Sequence, residues 1–488
     1  MNAKFRSIFG TARPTLPLSK IATIHQGNAI RTDWLSLCPK SANVEIYVCG
    51  NPPYQGFTGH TEDQRRDIVA TFSPILRKHQ AVDYVACWFI KLADYIAADG
   101  STATGALVAT NSVTRGEQVP ILWPYVFSKG LFFGFAHTAF KWANSASHNA
   151  GVSCVIISLT TSRDKPRKLF VGDTVLSTRN INAYLTPSDS NVVVTELDSP
   201  ANGFPELYIG NEAYDGGNLI LSVAERTSLL KRHPEAGPLI RRYYSAKDFL
   251  YSTERYVLWI DRENLPLAES IPEIKSRINK VRALRVKGGN KARASANRPH
   301  QFTYITYKGT NALIIPEVSS ERREYLQIGL LDASEIASKS LYVVYDPSPF
   351  LFSLLSSRLH RVWASAISGR LENRQRYSTS MAYNAFPVPS ISDEQARVLA
   401  DHARLILRAR AKHSGQALAE LYDPETMPDD IRAAHKDNDA YIEEHLYGRV
   451  FRDDNQRLEH LFSSYSRMIE RVGRKGSLFS PTSEKVTA

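Results

Sequence analysis

Four consecutive residues, Asn51-Pro52-Pro53-Tyr54, carry the strongest chemical signal in the chain. They follow Glu45–Cys49, which reads as an apolar strand, with Gly50 between. An exocyclic amino nitrogen of adenine or cytosine is a poor nucleophile, because its lone pair is delocalised into the ring. An Asn side-chain oxygen and a prolyl carbonyl can each accept one of its N–H groups. They then favour a pyramidal nitrogen and aim the lone pair at a methyl donor. Two prolines fix φ and remove competing backbone donors, so the acceptors are held rigidly. Tyr54 offers a ring to stack on a base drawn out of a duplex. The same four letters also make a plain Pro-Pro turn. The strand before them and the β/α pattern around them favour the chemical reading, since ligands of α/β sheets sit at the carboxyl ends of strands.

The segments that must position this motif alternate in type. Lys20–Ile24 is a short β-like run. Asp83–Ala98 predicts a helix, with Val85, Phe89, Leu92 and Ile96 at helical spacing. Ala106–Thr110, Gly130–Phe140 and Val152–Leu159 read as further strands. Such alternation predicts a parallel or mixed sheet with helices on its faces. Between Pro166 and Pro389 the character changes. Short strands at Tyr256–Ile260, Phe302–Tyr307 and Asn311–Ile315 lie among Gly, Pro and Asn turns. The end of the chain is helical. Ser392 with Gln395 makes a capping-box pattern opening Asp393–Lys412, Pro428-Asp429-Asp430 opens a second helix, and Asp454–Val472 predicts a third.

The length of 488 residues suits about three domains. A formal charge of +11 points to a polyanionic partner, nucleic acid ahead of membrane. At 43% hydrophobic and 22% charged, the composition argues against wholesale disorder. No apolar run reaches the roughly 18 residues needed to span a bilayer, and Met1–Pro17 lacks the apolar core of a signal peptide. Cys38, Cys49, Cys87 and Cys154 form no CxxC pair. That counts against a zinc ribbon or a disulfide scaffold and suits a reducing cytoplasm; no metal site is expected. GxxxxGK[ST], GxGxxG and HExxH motifs are absent, and there is no internal repeat.

Further short segments fall in a recognisable order. They are Thr15-Leu16-Pro17-Leu18, Gly27-Asn28-Ala29-Ile30-Arg31-Thr32-Asp33-Trp34, Asp83-Tyr84-Val85-Ala86, Thr110-Asn111-Ser112-Val113 with Gly116-Glu117-Gln118, and Phe140-Lys141-Trp142-Ala143-Asn144. Later come Asp215-Gly216-Gly217, Pro316-Glu317-Val318-Ser319-Ser320-Glu321, Ser368-Gly369-Arg370-Leu371, Arg376-Tyr377-Ser378, Tyr383-Asn384 with Phe386-Pro387, and Leu421-Tyr422-Asp423-Pro424 with Thr426-Met427-Pro428. Together with the Asn51–Tyr54 motif, they make the chain resemble amino-group DNA methyltransferases. Within these, it resembles the C-terminal half of the MmeI-like type II restriction–modification enzymes.

The resemblance implies a fold, a reaction and roles. The fold is α/β. Residues 1–165 form a partial class I S-adenosylmethionine-dependent methyltransferase sheet of Rossmann-like type. Residues 166–390 form an α+β target-recognition domain, and 391–488 a C-terminal helical region. The reaction is methylation of adenine N6 in double-stranded DNA; the motif alone would accept either amino group. Asn51 and Pro52 orient the amino group, with Pro53 fixing the turn, and Tyr54 stacks on the flipped base. Gly27 and Asn28 lie where the adenine of S-adenosylmethionine is contacted. Phe140 or Trp142 closes the base pocket from the other side.

The family's Gly-rich loop after the first strand, and the acid after the second, are missing from this sequence. Only 50 residues precede Asn51. The cofactor pocket is therefore expected to be incomplete, and a companion polypeptide carrying the Gly-rich motif is expected to complete it. The missing strands would leave Glu45–Cys49 as an open edge. The family's PD…ExK nuclease is also missing. Glu273-Ile274-Lys275 matches ExK by letters only, so no DNA cleavage is expected. A non-catalytic DNA-binding or specificity remnant of such an enzyme is the alternative reading.

In the expected recognition domain, the stretch from Lys275 to Arg298 has nine Lys or Arg and no acid. Lys275, Lys280, Arg282, Arg285 and Lys287 would neutralise phosphates, which gives affinity without sequence information. A solvated basic face is the plainer alternative. Arg370, Glu372, Arg374 and Arg376 alternate, and in an extended conformation would project to one side. Arg suits guanine O6 and N7, and Glu accepts from cytosine N4. Glu372 and Arg374 are the leading base-reading pair, with a salt bridge within the protein as the alternative.

Overall fold

The computed structural model describes residues 23–75, 81–100, 102–142, 152–163, 166–371 and 374–477, with the side chains of 370–371 and 473–477 left out. The first part holds a six-stranded mixed sheet: β1 (Ile46–Gly50), β2 (Ala103–Thr110), β3 (Phe132–Trp142), β4 (Val152–Thr160), β5 (Arg167–Val171) and β6 (Thr174–Thr178). Their spatial order is β1-β2-β4-β3-β5-β6. β1 runs parallel to β2, with Gly50 opposite Leu107, and β4 lies antiparallel to both β2 and β3.

The local reasons are visible in the sequence. Along β2, alternate residues are buried, and Ala103, Leu107 and Ala109 face the core. The crossover from β1 to β2 contains the Ala86–Ala97 helix, whose Phe89, Leu92 and Ile96 pack into the same core. A Cβ on Gly105 would come 2.4 Å from Leu92, so the absence of a side chain there lets helix and strand approach closely. Trp123 fills the space between Phe89 and Phe133, with ring centroids 5.2 and 4.7 Å away. These contacts hold the carboxyl ends of β1 and β2 in register.

Among the described residues β1 pairs with β2 alone. Of the expected strand Lys20–Ile24, residues 20–22 lie outside the described residues. Thr23 and Ile24 are irregular, and Ile24 is 89% exposed.

Among the described residues the middle of the chain forms three small sheets of three or four strands and a two-stranded pairing of Asn180–Ile181 with Pro187–Ser188. One joins Ile220–Ser222, Arg255–Leu258, Ile240–Tyr244 and Ile336–Ala337; a second joins Gly329–Leu331, Ala312–Pro316, Leu341–Tyr345 and Tyr208–Ile209. The third joins Val318–Ser319, Arg374–Arg376 and Arg370–Leu371. Phe302–Tyr307, expected as a strand, makes one isolated bridge, between Tyr304 and Glu212. Side chains replace the ladder there. Arg298 donates to the carbonyls of Phe302 and Thr303, and Asn211 accepts from the backbone N–H of Thr306 and Tyr307.

The last part is helical, at Asp393–Ala411, Asp429–Tyr441 and Asp454–Ser477. The first opens on the expected Ser392–Gln395 capping box. The third returns to the first part of the chain. Phe462 stacks on Tyr184 at 4.9 Å, and the Tyr465 hydroxyl accepts the Thr195 N–H at 3.1 Å. The six-stranded sheet and this helix therefore share one core.

Candidate active site

Asn51 lies just past the carboxyl end of β1, exposed, while Pro52 beneath it is buried. The Tyr54 ring is half-buried, and its hydroxyl donates to Asn51 Oδ1. Burial pushes the Tyr54 phenol up to about 12, and the neighbouring buried Cys154 thiol of β4 adds to it. Cys154 faces Phe140 across the β3–β4 ladder and Thr110 across the β2–β4 ladder. Asn51, Tyr54 and Phe140 are thus brought together by sheet pairing, from positions far apart in sequence. A register shift between His137 and Phe140 re-aims the end of β3. Phe140 stays half-buried against His137, with centroids 4.9 Å apart, and Trp142 is exposed 6.2 Å from Phe140.

Two buried carboxylates organise the loop after Tyr54. The Asp83 carboxylate accepts from Thr110 Oγ1 at 3.2 Å and from the Ser112 hydroxyl, and its backbone N–H donates to Gln118 Oε1 at 3.0 Å. Tyr84 N–H donates to the Gln55 carbonyl at 2.8 Å, which anchors the loop after Tyr54 to the same cluster. Asp67 accepts from Arg31 Nε at 2.6 Å, the Tyr84 hydroxyl at 2.6 Å and Asn28 Nδ2 at 3.0 Å. Burial alone would push the Asp67 carboxyl up; the donors of Arg31, Tyr84 and Asn28 hold it below its ordinary value.

An open hollow of about 590 Å³ lies beside β1, lined by Trp34, Ile46, Val48, Trp88 and Leu107 among others, and it reaches Asn51 and Pro52. Its wall is apolar and aromatic, which suits a purine or a thioether. Ala29 lines it; Gly27 and Asn28 do not. Asn28 is engaged at both ends of its amide, since its Oδ1 also accepts Ile30 N–H at 3.0 Å. It holds the 27–32 turn. Among the described residues no carboxylate that could take ribose hydroxyls lines the hollow, so those present fit the cofactor on one side only. Among the described residues no group of three His, Cys, Asp or Glu is placed to hold a metal, and no helix is long and apolar enough to cross a membrane.

A second cleft, of about 680 Å³, begins at Phe57, just beyond Tyr54. It is walled by Asn111, Ser112 and Arg115 on one side and by Arg376–Ser380 on the other. The sequence reading missed Cys154, Asp67 and Asp83 as parts of the site. Asp83 had a signal, since it opens one of the segments that carry the resemblance. Asp67 sits in the polar run Glu62–Asp67 and had none.

The expected DNA contacts divide. Lys275, Lys280, Arg282 and Lys287 are exposed on the Pro272–Lys287 helix. Arg285 is not a phosphate contact: it is 0% exposed and donates to the carbonyls of Ala213, Tyr214, Ser295, Arg298 and Gln301. It continues the buried line of Ile274, Ile278 and Val281, so it holds a loop together. Glu273 pairs with Arg232 at 2.5 Å, as a surface ion pair. Arg370, Glu372, Arg374 and Arg376 do not share one extended strand. The chain folds back as a hairpin, with Arg370 opposite Gln375 and Leu371 opposite Arg374. Glu372 lies outside the described residues. Arg374 is exposed, and Arg376 pairs with Glu317 at 3.0 Å.

Three family models match consecutive stretches: the MmeI DNA-methyltransferase domain over residues 1–171, the MmeI target recognition domain over 188–390, and the MmeI C-terminal domain over 391–472. DNA methyltransferase A of Bacillus subtilis (strain 168) is 36% identical over 475 residues, which cover 96% of this chain and 53% of that protein. The type IIL restriction–modification enzyme MmeI, solved in complex with DNA, is 33% identical with a TM-score of 0.83, over 96% of this chain and 63% of that one. The chain therefore spans about half the length of the curated relative. With all three domain models matched in order and the fold shared, this chain belongs to the MmeI-like family of restriction–modification DNA methyltransferases.

Proposed function

We propose that this chain supplies the catalytic loop and the sequence-recognition portion of a site-specific DNA adenine-N6 methyltransferase in a restriction–modification system. The observation that carries the proposal is the convergence of Asn51, Tyr54 and Phe140 at the carboxyl ends of β1 and β4's neighbours, beside a cleft shared with the reader hairpin. Asn51 Oδ1 and the Pro52 carbonyl would accept the two amino N–H groups of an extruded adenine. Tyr54 and Phe140 would hold its ring, with Trp142 at the mouth. S-adenosylmethionine supplies the methyl group when bound. The chain's own residues orient the nitrogen, and the apolar hollow excludes water from one side of it.

The pairing of β1 with β2 alone, among the described residues, and the one-sided hollow support a second element of the proposal: strands from a companion polypeptide bearing the Gly-rich segment add to β1 and complete the pocket. Double-stranded DNA lies along the exposed cations of the Pro272–Lys287 helix. The protein acts in the reducing cytoplasm, where Cys38, Cys49, Cys87 and Cys154 remain thiols.

Isothermal titration tests the cofactor element. The chain alone should bind S-adenosylmethionine weakly or not at all, and the companion should restore binding. A micromolar dissociation constant for the chain alone contradicts it. Methylation of genomic DNA by the completed enzyme, mapped base by base, tests the reaction. N6-methyladenine at one motif is the expected product. A product without methylated adenine, together with tight sequence-specific binding, would instead establish a non-catalytic specificity module.

A further inference from the structure

The base-reading hairpin and the catalytic loop meet through two glycines. Gly116 has φ +57, in the left-handed region, and a Cβ there would lie 3.0 Å from both Cα and N of Gly369. Those are backbone atoms, which cannot rotate away. Gly116 N–H donates to the Ile367 carbonyl at 3.1 Å, and the neighbouring Arg115 guanidinium donates to the Ser365 carbonyl. Gly369 in turn is the root of the hairpin: its carbonyl accepts Arg376 N–H at 3.0 Å, one residue before the Arg370–Gln375 pair.

On its other side Gly116 adjoins the cluster under the catalytic loop. Gln118 takes the Asp83 N–H, Ser112 donates to the Asp83 carboxylate, and Tyr84 N–H holds Gln55. An unbroken series of backbone and short side-chain contacts therefore joins Arg374–Arg376 to the loop that carries Asn51.

We propose that Gly116 is a positioning residue, whose contact with Gly369 sets the distance between the base-reading hairpin and the catalytic loop. It thereby fixes how far from the recognised bases the target adenine is presented. This rests on the methyltransferase reading above. A bulkier residue at 116 pushes the hairpin and the catalytic loop apart while leaving both intact. DNA should still be bound at its sequence, with the adenine out of reach.

A third glycine supplies the control. Gly130 shares the left-handed backbone, with φ +74, lies outside the hairpin and the loop, and a Cβ on it would meet nothing within 4 Å. Gly130→Ala should bind and extrude as the parent, whereas Gly116→Ala should not. The full chain is mixed with a duplex carrying 2-aminopurine at the adenine identified by methylation mapping. Binding is followed by anisotropy and extrusion by fluorescence. For Gly116→Ala the expected result is binding within about threefold of the parent, loss of the fluorescence rise, and methylation by the completed enzyme down about 100-fold, the scale of a misplacement near 1 Å. Gly116→Asn tolerates the left-handed backbone but keeps the Cβ, so it reads the same contact if Gly116→Ala does not fold. An unchanged fluorescence rise in Gly116→Ala, an equal loss in Gly130→Ala, or parallel loss of binding and extrusion in Gly116→Asn overturns the assignment. A parent chain that never brightens the probe, on a duplex it binds, contradicts the methyltransferase reading itself and this inference with it.

Discussion

The Tyr54 hydroxyl donates to Asn51 Oδ1, the acceptor proposed for the amino group of the target base. In this arrangement the stacking residue occupies the orienting residue, with Cys154 as the third partner. A base entering the site must displace the hydroxyl and leave the ring. Tyr54→Phe keeps the ring and frees Asn51, so the completed enzyme should methylate at least as fast as the parent. Tyr54→Ala should lose a stacking contribution of about 1–3 kcal/mol, seen as a rate loss of roughly ten- to a hundredfold. A strong loss in Tyr54→Phe, measured as initial rates under single-turnover conditions, would show that the hydroxyl itself is needed.

On the Pro272–Lys287 helix, neighbouring cations should differ in kind. Lys280 and Lys287 are two turns apart on one exposed face; Lys275 and Arg282 form a second line. Neutralising Lys280 and Lys287 should weaken binding to all duplexes alike and lower the log–log salt slope by roughly 2, about 0.9 per contact. Arg285→Ala should leave the slope unchanged and cost about 3 kcal/mol or more of stability, because buried carbonyls lose their donors. Binding isotherms across a salt series and denaturant titrations separate the two. A salt slope that does not respond to Lys280 and Lys287 would place the duplex elsewhere.

At the hairpin, Glu372→Arg with Arg374→Glu should move preference between C and G at one position, because donor and acceptor patterns are interchanged. Each lost base contact should cost about 1–3 kcal/mol at the preferred site and little on unrelated DNA. A methylation readout over a randomised target library gives the answer. An unchanged motif, or a motif altered by Lys280 and Lys287, would mean that readers and anchors are exchanged.

Between the middle and the C-terminal helices, Asp439 accepts Arg358 N–H at 2.7 Å and the Tyr325 hydroxyl at 2.9 Å, yet burial pushes its carboxyl up to about 7. Unfolded, it would titrate near its ordinary value of about 3.9. Between these values the folded chain holds a proton that the unfolded chain has lost. Stability from this group therefore falls as pH rises through that window and is flat above it. Asp439→Asn should flatten the decline in melting temperature between about pH 5 and pH 7. Equal slopes for variant and parent would contradict the burial argument.

What the sequence revealed depended on how local the determinants were. Asn51–Tyr54 was legible because two prolines and a preceding strand impose the geometry within a few residues. The Ser392–Gln395 cap was legible for the same reason. Cys154 was not, because only the β2–β4 and β3–β4 registers bring it under Tyr54. Arg285 looked like its basic neighbours, although its spacing from Ile274, Ile278 and Val281 marks the buried face of a helix. The Arg370–Arg376 stretch was misread because alternation suits both one strand and a hairpin, and Asn373, a turn-favouring residue between the two strands, was given no weight. Phe302–Tyr307 has strand-like composition, but its ladder is replaced by Asn211 and Arg298, which lie outside that segment.

The most direct test of the central claim is the rate at which Asn51→Ala, in the completed enzyme, transfers a labelled methyl group from S-adenosylmethionine to its target duplex, read beside its affinity for that duplex. The account expects affinity close to the parent's and a rate lower by about 100- to 1,000-fold, the value of one oriented hydrogen bond of roughly 3–4 kcal/mol in the transition state. Methylation at more than about a tenth of the parental rate would contradict it, because the amino group would then be oriented by something other than Asn51.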